Sequence, residues 1–255
     1  MRPDALQSFV RELNSPAGRD RHGVLFVEGV RFVHRAADVG IDHLIRSKAL
    51  LRSPAGQRLA RHLRRDGVPT LDVPPECFRR VSTALHASGL AALVRTPWRE
   101  LDQLGSGPVL VFRRLRSNGN LGTLIRSAEA LGAGGIVCLG RGVDPWSPDV
   151  IRASMGGVFG VPIVRCSATE LRAWAAANGV SILAAEAEGA CALGLEPLPS
   201  RVAFLLGDER KGIAPEDRRH CDGSVRIPMV GAADSMNVAQ AGTVLLYEAV
   251  RAGTG

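Results

Sequence analysis

The chain has 255 residues, 45 % hydrophobic and 22 % charged, with a formal charge of +7 and a pI of about 9.9. That length holds one large domain or two modest ones, and the balance is that of a folded globular protein rather than a disordered or fibrous one. No apolar run reaches the roughly 18 residues of a membrane span, and Cys77, Cys138, Cys166, Cys191 and Cys221, odd in number and without Cys-x-x-Cys spacing, exclude a disulfide framework or zinc site from the expectations. The histidines form no His-Glu-x-x-His pattern, so no metal is expected. The N-terminus lacks the apolar core of a signal peptide, which makes the cytoplasm the expected compartment.

Charge is unevenly placed. Residues 1–105 carry 17 Lys and Arg against 11 Asp and Glu, whereas residues 106–255 carry 15 against 14. A basic part beside a near-neutral part suggests a polyanion-binding module attached to a working domain. Only Lys48 and Lys211 are lysines; the rest are Arg, whose flat fork matches phosphate and stacks on bases.

Along the chain, residues 5–13 read as a helix. Val24–Val27 reads as a strand ending at Glu28-Gly29, followed by a helix near 30–39. His43–Ile45 is a short strand. Residues 57–65 form a second basic helix, with Leu59 and Leu63 on an apolar edge and Arg58, Arg61, Arg64 and Arg65 supplying charge. Thr70–Val73 is a further strand, and the alternation predicts a small α/β unit. The stretch Thr96–Pro108 holds two prolines and two glycines and reads as a connection. The expected domains are therefore 1–104 and 105–255. In the second, strands are predicted at 109–112, 136–139, 162–165, 181–185, 202–206 and 225–228, and helices at 121–131, 148–156, 168–178 and 235–251. The strands are continuous apolar runs, the pattern of a parallel sheet covered on both faces.

Three segments carry chemistry. After the strand at 109–112, polar residues with Gly119 and Gly122 open a helix whose N-terminus favours anions. Asn120 is expected to cap that helix, and Arg126 lies about one and a half turns further in. The glycine spacing is not Gly-x-Gly-x-x-Gly, so a nicotinamide cofactor is not expected. At Gly207-Asp-Glu-Arg-Lys-Gly212 a glycine at a strand end permits close approach of a ligand to the backbone, and Glu209 is placed to cap the turn or to hold a ligand or an arginine. Ile227-Pro-Met229 ends another strand, and Gly231–Asn237 forms a polar loop in which Ser235 and Asn237 offer donors and acceptors. Two strand ends opening into small-residue loops predict one backbone-lined pocket.

Taken in order, these segments resemble the SpoU-type branch of the SPOUT methyltransferases. The family's Asn-x-Gly-x-x-x-Arg-Ser/Thr-Ala is met by Asn120, Gly122, Arg126, Ser127 and Ala128. Its Leu-Gly-x-Glu-x-x-Gly is met by Leu206, Gly207, Glu209 and Gly212. Its Ile-Pro-Met-x-Gly-x-x-x-Ser-Leu-Asn-Val is met by Ile227, Pro228, Met229, Gly231, Ser235, Met236, Asn237 and Val238. Arg152-Ala-Ser-Met-Gly-Gly157 and Val161-Pro162 are similar to the family's middle segment, and the likeness covers roughly 108–250. The chain departs at Ser117-Asn118, where the family usually has Asp-Pro, at Met236 in place of Leu, and at Ala239 in place of Ser.

The resemblance implies a C-terminal α/β domain with a parallel sheet and a trefoil knot, and a smaller N-terminal α/β RNA-binding domain similar to a ribosomal protein. It implies S-adenosylmethionine as cofactor, a ribose 2'-hydroxyl of RNA as acceptor, and a homodimer, with no metal and no membrane. Leu206, Gly207, Gly212, Ile227, Pro228, Met229, Met236 and Val238 would hold the cofactor, largely through backbone. Arg126 would grip the neighbouring phosphate as a cation and lower the hydroxyl pKa; Asn120, Ser235 and Asn237 would orient ribose and Arg126; Glu209 would fix the second and third motif loops or Arg126. A full N-terminal domain points to large-subunit rRNA. A tRNA 2'-O-methyltransferase and a non-catalytic ribosome-assembly factor are the alternatives, and retention of Asn120, Arg126, Glu209, Ser235 and Asn237 argues against the latter.

Overall fold

Apolar runs form the strands and capped amphipathic stretches form the helices, much in the predicted alternation. The computed structural model describes residues 3–253. In chain order it contains α1 (Pro3–Leu13), α2 (Pro16–His22), β1 (Val24–Glu28), α3 (Val30–Ala36), β2 (Ile41–Arg46), α4 (Pro54–Arg65), β3 (Thr70–Asp72), α5 (Pro75–Val81) and β4 (Leu90–Arg95). There follow β5 (Trp98–Arg99), β6 (Val109–Phe112), α6 (Asn118–Ala130), β7 (Gly135–Leu139), α7 (Pro148–Ala153), β8 (Ile163–Cys166) and α8 (Ala168–Ala177). The chain ends with β9 (Ser181–Ala185), β10 (Cys191–Ala192), β11 (Val202–Leu206), α9 (Pro215–Arg218), β12 (Gly223–Arg226) and α10 (Val238–Arg251). Two units result: residues up to Pro97 together with Trp146–Phe159, and Trp98–Pro145 together with Gly160 onward.

The first unit is built on a four-stranded sheet ordered β1-β4-β2-β3, with β4 antiparallel to β1 and β2, and β2 parallel to β3. Phe26, Ile45, Ala91 and Leu93 face Leu6, Val10 and Phe78 of α1 and α5 in one core. α4 starts at Ser53, whose Oγ accepts from Gly56 N at 3.3 Å, with Pro54 in the first turn. Leu59, Ala60 and Leu63 are its buried side. Gly56 has no room for a side chain, since a Cβ there would lie 2.7 Å from Leu51 and Val30. The segment Trp146–Phe159 belongs to this unit: Arg152 donates to Thr83 Oγ1 at 3.3 Å and Arg35 Nε to the Gly156 carbonyl at 3.5 Å.

The second unit is an eight-stranded, all-parallel sheet ordered β10-β12-β9-β11-β6-β7-β8-β5. β6, β7 and β11 are buried along their whole length, as a sheet covered on both faces requires. Val109, Val111, Val137, Leu139, Ala203 and Leu205 pack with Leu171 and Ala175 of α8. On the opposite face α10 lies so close to the sheet and α6 that a Cβ on Gly242 would stand 2.4 Å from Leu124 Cδ2 and 3.1 Å from Leu206 Cδ1. The strand order reverses at β6. β7 and β8 extend one way, whereas β9 forms two places away on the other side and β11, later in the chain, takes the place between.

The expected connection at 96–108 contains structure. Trp98 and Arg99 pair with Ile163 and Val164 as the edge strand β5, and the Arg165 guanidinium lies 4.0 Å above the Trp98 ring, a cation–π contact. A two-residue strand between Pro97 and a Gly-rich turn has no periodicity to betray it.

Candidate active site

The carboxyl ends of β9, β11 and β12 lie side by side, and the loops leaving them enclose a cleft of about 570 Å³. Ligands of open parallel sheets characteristically sit at such a place, near the reversal in strand order. Leu206, Gly207 and Gly212 line it after β11, Ile227 and Met229 after β12, and Met236 and Val238 at the entry to α10. Glu209, Ser235 and Asn237 also line it. Pro228, Asn120 and Arg126 do not. Ala185, Glu186 and Ala187, which follow β9, were not anticipated; that β9 neighbours both β11 and β12 is a matter of sheet order, which no local pattern carries.

The loop 207–212 is closed on itself. Asp208 N donates to the Gly212 carbonyl at 2.9 Å and Gly212 N to the Asp208 carbonyl at 3.0 Å, with Gly212 at φ +66. A Cβ on Gly207 would lie 2.6 Å from the Gly212 carbonyl carbon. Glycine at 207 is therefore required by the loop's own backbone, and the residue also lines the cleft.

A one-way chain of hydrogen bonds joins the three motif segments. Asn237 caps α10 through its side-chain oxygen, which accepts from Ala239 N at 2.9 Å and Gln240 N at 3.4 Å. Its Nδ2 donates to Asn120 Oδ1 at 3.2 Å, and Asn120 Nδ2 donates to Glu209 Oε1 at 3.1 Å. Glu209 Oε2 accepts from Arg116 N at 3.1 Å. Glu209 thus ties the second loop to the first segment and not to Arg126. The cap of α6 is Ser117, whose Oγ accepts from Asn120 N at 3.2 Å, not Asn120 as expected. A serine caps as an aspartate does, so the departure from Asp-Pro leaves this helix start intact and frees the Asn120 side chain for Glu209 and Asn237.

Every carboxylate on the cleft is engaged. Glu186 accepts from Arg218 Nε at 3.1 Å, and Asp208 accepts from Arg116 Nε at 3.0 Å and from Arg210 N at 2.9 Å. The Arg210 amide, followed against burial by the Arg116 side chain, holds the Asp208 carboxyl below its ordinary range. Burial pushes Glu209 up, but amides of its own loop and of Arg116 and Ser117, with Asn120, outweigh it and leave that carboxyl below its ordinary range as well. Beside the loop, Arg113 meets Asp217, almost fully buried, through paired contacts of 2.6 and 2.5 Å, which raise the guanidinium pKa against the effect of burial.

The cleft fits S-adenosylmethionine on what lines it. A sulfonium that loses its charge on transfer needs a shaped pocket and backbone polar groups more than countercharge, and the carboxylates here are already committed to arginines and amides. Met229 and Met236 remain partly exposed at its wall, apolar surface of the kind a bound adenosine would cover. Among the described residues no group of three or more His, Cys, Asp or Glu is placed to hold a metal ion.

Arg126 stands apart. It is exposed on α6, and among the described residues its side chain makes no ion pair or hydrogen bond. The adjacent Ser127 places its Oγ 2.7 Å from Thr243 Oγ1 of α10. On α10 the neighbouring outward positions Val244, Tyr247 and Val250 are exposed apolar side chains. Ser235 is exposed in the loop before α10.

An all-parallel sheet with this cleft defines an α/β protein that takes a small ligand at adjacent strand ends, with amide-tied loops over it. The chain belongs to the SpoU rRNA methylase family, which matches residues 107–247. It is similar over 91 % of its length, at 32 % identity and with 84 % of the relative covered, to the 23S rRNA (uridine(2479)-2'-O)-methyltransferase of Streptomyces viridochromogenes. It is 26 % identical to the 23S rRNA (guanosine(2553)-2'-O)-methyltransferase of Bacillus subtilis, with 93 % and 92 % of the two chains covered. Its structure superposes on that of the SpoU methyltransferase AviRb from Streptomyces viridochromogenes in complex with AdoMet, at a TM-score of 0.86, 29 % identity and 96 % coverage of each chain.

Proposed function

We propose that this protein transfers the methyl group of S-adenosylmethionine to a ribose 2'-hydroxyl of 23S rRNA, in the cytoplasm and as a homodimer. The observation that carries this reading is the cleft at the ends of β9, β11 and β12, whose second and third motif loops the Asn237–Asn120–Glu209 chain ties together through the first motif. Similarity to 23S rRNA 2'-O-methyltransferases along nearly the whole chain, the basic first unit included, favours rRNA over tRNA.

Leu206, Ile227, Met229, Met236 and Val238 are assigned to the walls that hold the cofactor, with Gly207, Gly212 and Pro228 shaping the loops that carry them. Bound there, S-adenosylmethionine supplies an electrophilic methyl group on a sulfonium whose charge is lost on transfer. Asn120, Glu209 and Asn237 set the positions of the loops. Ser235, exposed and lining the cleft, is assigned to orienting the ribose. Arg126 acts as a cation on the phosphate next to the acceptor, lowering the hydroxyl pKa so that its proton passes to phosphate or water; neutral guanidine is too scarce near pH 7 to serve as the base. The exposed apolar stripe Val244, Tyr247 and Val250 supports self-association through α10, whose Thr243 meets Ser127 next to Arg126. The placing of β11 between β6 and β9, with α10 packed back on α6, supports a trefoil knot.

The test is transfer of labelled methyl from S-adenosylmethionine to unmodified 23S rRNA and to tRNA, followed by mapping of 2'-O-methyl positions. One labelled 23S ribose is expected. Labelled tRNA in its place overturns the substrate, and no transfer to either RNA overturns the activity.

A further inference from the structure

We propose that the outer face of α4 is a phosphate-binding surface that grips the backbone of the RNA substrate. The proposal rests on the reading of this protein as an RNA methyltransferase and names where the first unit holds that RNA.

α4 carries Arg58, Arg61, Arg64 and Arg65 and no acidic residue between Pro54 and Arg65. All four are exposed, because Leu59, Ala60 and Leu63 take the buried side of the helix. Among the described residues none of the four makes an ion pair, whereas elsewhere in this unit Arg46 is paired with Asp72 and Arg95 with Asp42. These four charges are most of the excess of 17 basic over 11 acidic residues in 1–105. Arg52, Arg79 and Arg80 are exposed too, but α4 brings four arginines together on one twelve-residue helix.

Arg58 and Arg61, Arg61 and Arg64, and Arg61 and Arg65 stand three or four positions apart, spacings at which like charges repel. Solvation alone would be served as well by a mixture of signs. An unrelieved row of guanidiniums suits a partner that brings its own row of charges. Arg58 to Arg65 spans about 10 Å along the axis, enough to meet successive backbone phosphates of one strand. Arginine also offers each phosphate two parallel donors. The helix is a firm platform for this, with a capped first turn and Gly56 pressed against Leu51 and Val30.

Phosphate contacts of this kind release counterions, so affinity falls with salt, by close to one unit of log–log slope for each contact. The experiment measures the affinity of the full-length protein for a 23S rRNA fragment as a function of KCl, with calorimetric titration of S-adenosylmethionine on every variant to report the cleft. In the R58Q/R61Q/R64Q/R65Q protein the slope is expected to fall by about three and the affinity at about 0.1 M salt by more than tenfold, with cofactor binding unchanged. The double variant R21Q/R95Q removes charges that Glu12 and Asp42 already partner, and its affinity is expected to change by less than twofold. Wild-type slope and affinity in the quadruple variant overturn the proposal. So does an equal loss per charge in R21Q/R95Q, which would mean that only total charge matters. Should the quadruple variant fail to fold, R58Q and R65Q taken singly each lose somewhat under one unit of slope if the proposal holds, and none if it does not. A wild-type protein with no salt-dependent affinity for rRNA would instead remove the substrate reading beneath it.

Discussion

Replacing Glu209 by Gln tests whether the hydrogen-bonded chain over the cleft has the direction described. Glu209 accepts at both oxygens, from Arg116 N and from Asn120 Nδ2. A glutamine has one acceptor oxygen and must turn its NH2 toward one of these two donors. Flipping Asn120 to accommodate it brings Asn120 Nδ2 against Asn237 Nδ2, and flipping Asn237 in turn withdraws the oxygen that caps α10. One donor therefore stays unpaired whichever rearrangement is taken. A hydrogen bond to a charged group contributes about 1.5–3 kcal/mol. Glu209 faces solvent, which reduces the loss to about 1 kcal/mol, and that corresponds to roughly fivefold in an equilibrium constant. Calorimetric titration should show S-adenosylmethionine binding weakened by about this factor, with single-turnover methyl transfer reduced at least as much. The carboxyl is held below its ordinary value of 4.5, so its contribution is complete above that pH and is lost only as pH falls through the lower folded value. The advantage of wild type over Glu209→Gln should accordingly be constant through neutral pH and shrink in acid. Equal cofactor affinity and equal turnover in the two proteins at pH 7 would refute the directional chain.

Arg126→Ala should bind S-adenosylmethionine normally and lose on the order of a hundredfold or more in single-turnover transfer. Arg126→Lys should retain more activity than Ala, and a steep rise of its rate relative to wild type at alkaline pH would favour a neutral base over a phosphate-gripping cation. Gly207→Ala places a methyl group 2.6 Å from the Gly212 carbonyl carbon. It should open the loop and weaken cofactor binding, and unchanged calorimetry would show that the loop yields without cost. Val244→Glu with Tyr247→Glu puts two charges on the exposed stripe of α10 and should halve the mass measured by light scattering; an intact dimer would move the self-association surface elsewhere.

The sheet of the second unit was legible because its strands are buried on both faces: 109–112, 181–185 and 202–206 are read as apolar runs and found as β6, β9 and β11. Their spatial order was not, since a parallel run says nothing about its neighbours, and that order places Ala185–Ala187 at the cleft. β4 went unread because Ala91 and Ala92 are poor strand formers, although it is an inner strand of the first sheet. The short helices α2 and α5 have too few turns to show a period. In the site, the paired loops were visible as glycine-bearing strand ends. The Asn120–Glu209 and Asn120–Asn237 contacts were not, because they join residues 89 and 117 positions apart. Nor does sequence show that Gly207 also stands against the Gly212 backbone of its own loop.

β11 is made late and sits in the middle. When a ribosome has released residues up to 200, β6 lacks its inner partner and β9 lacks both of its partners, β11 and β12, so each presents unpaired amides and carbonyls. Exposed edges of that kind recruit other chains, and sheets that depend on distant pairings are slow to complete. The nascent protein is thus most open to aggregation in the interval before the residues of β11 emerge, and a message cut short there yields a fragment with one edge of β6 and both edges of β9 unpaired rather than a smaller working enzyme. Completion of the last quarter of the chain is what makes the earlier three quarters safe.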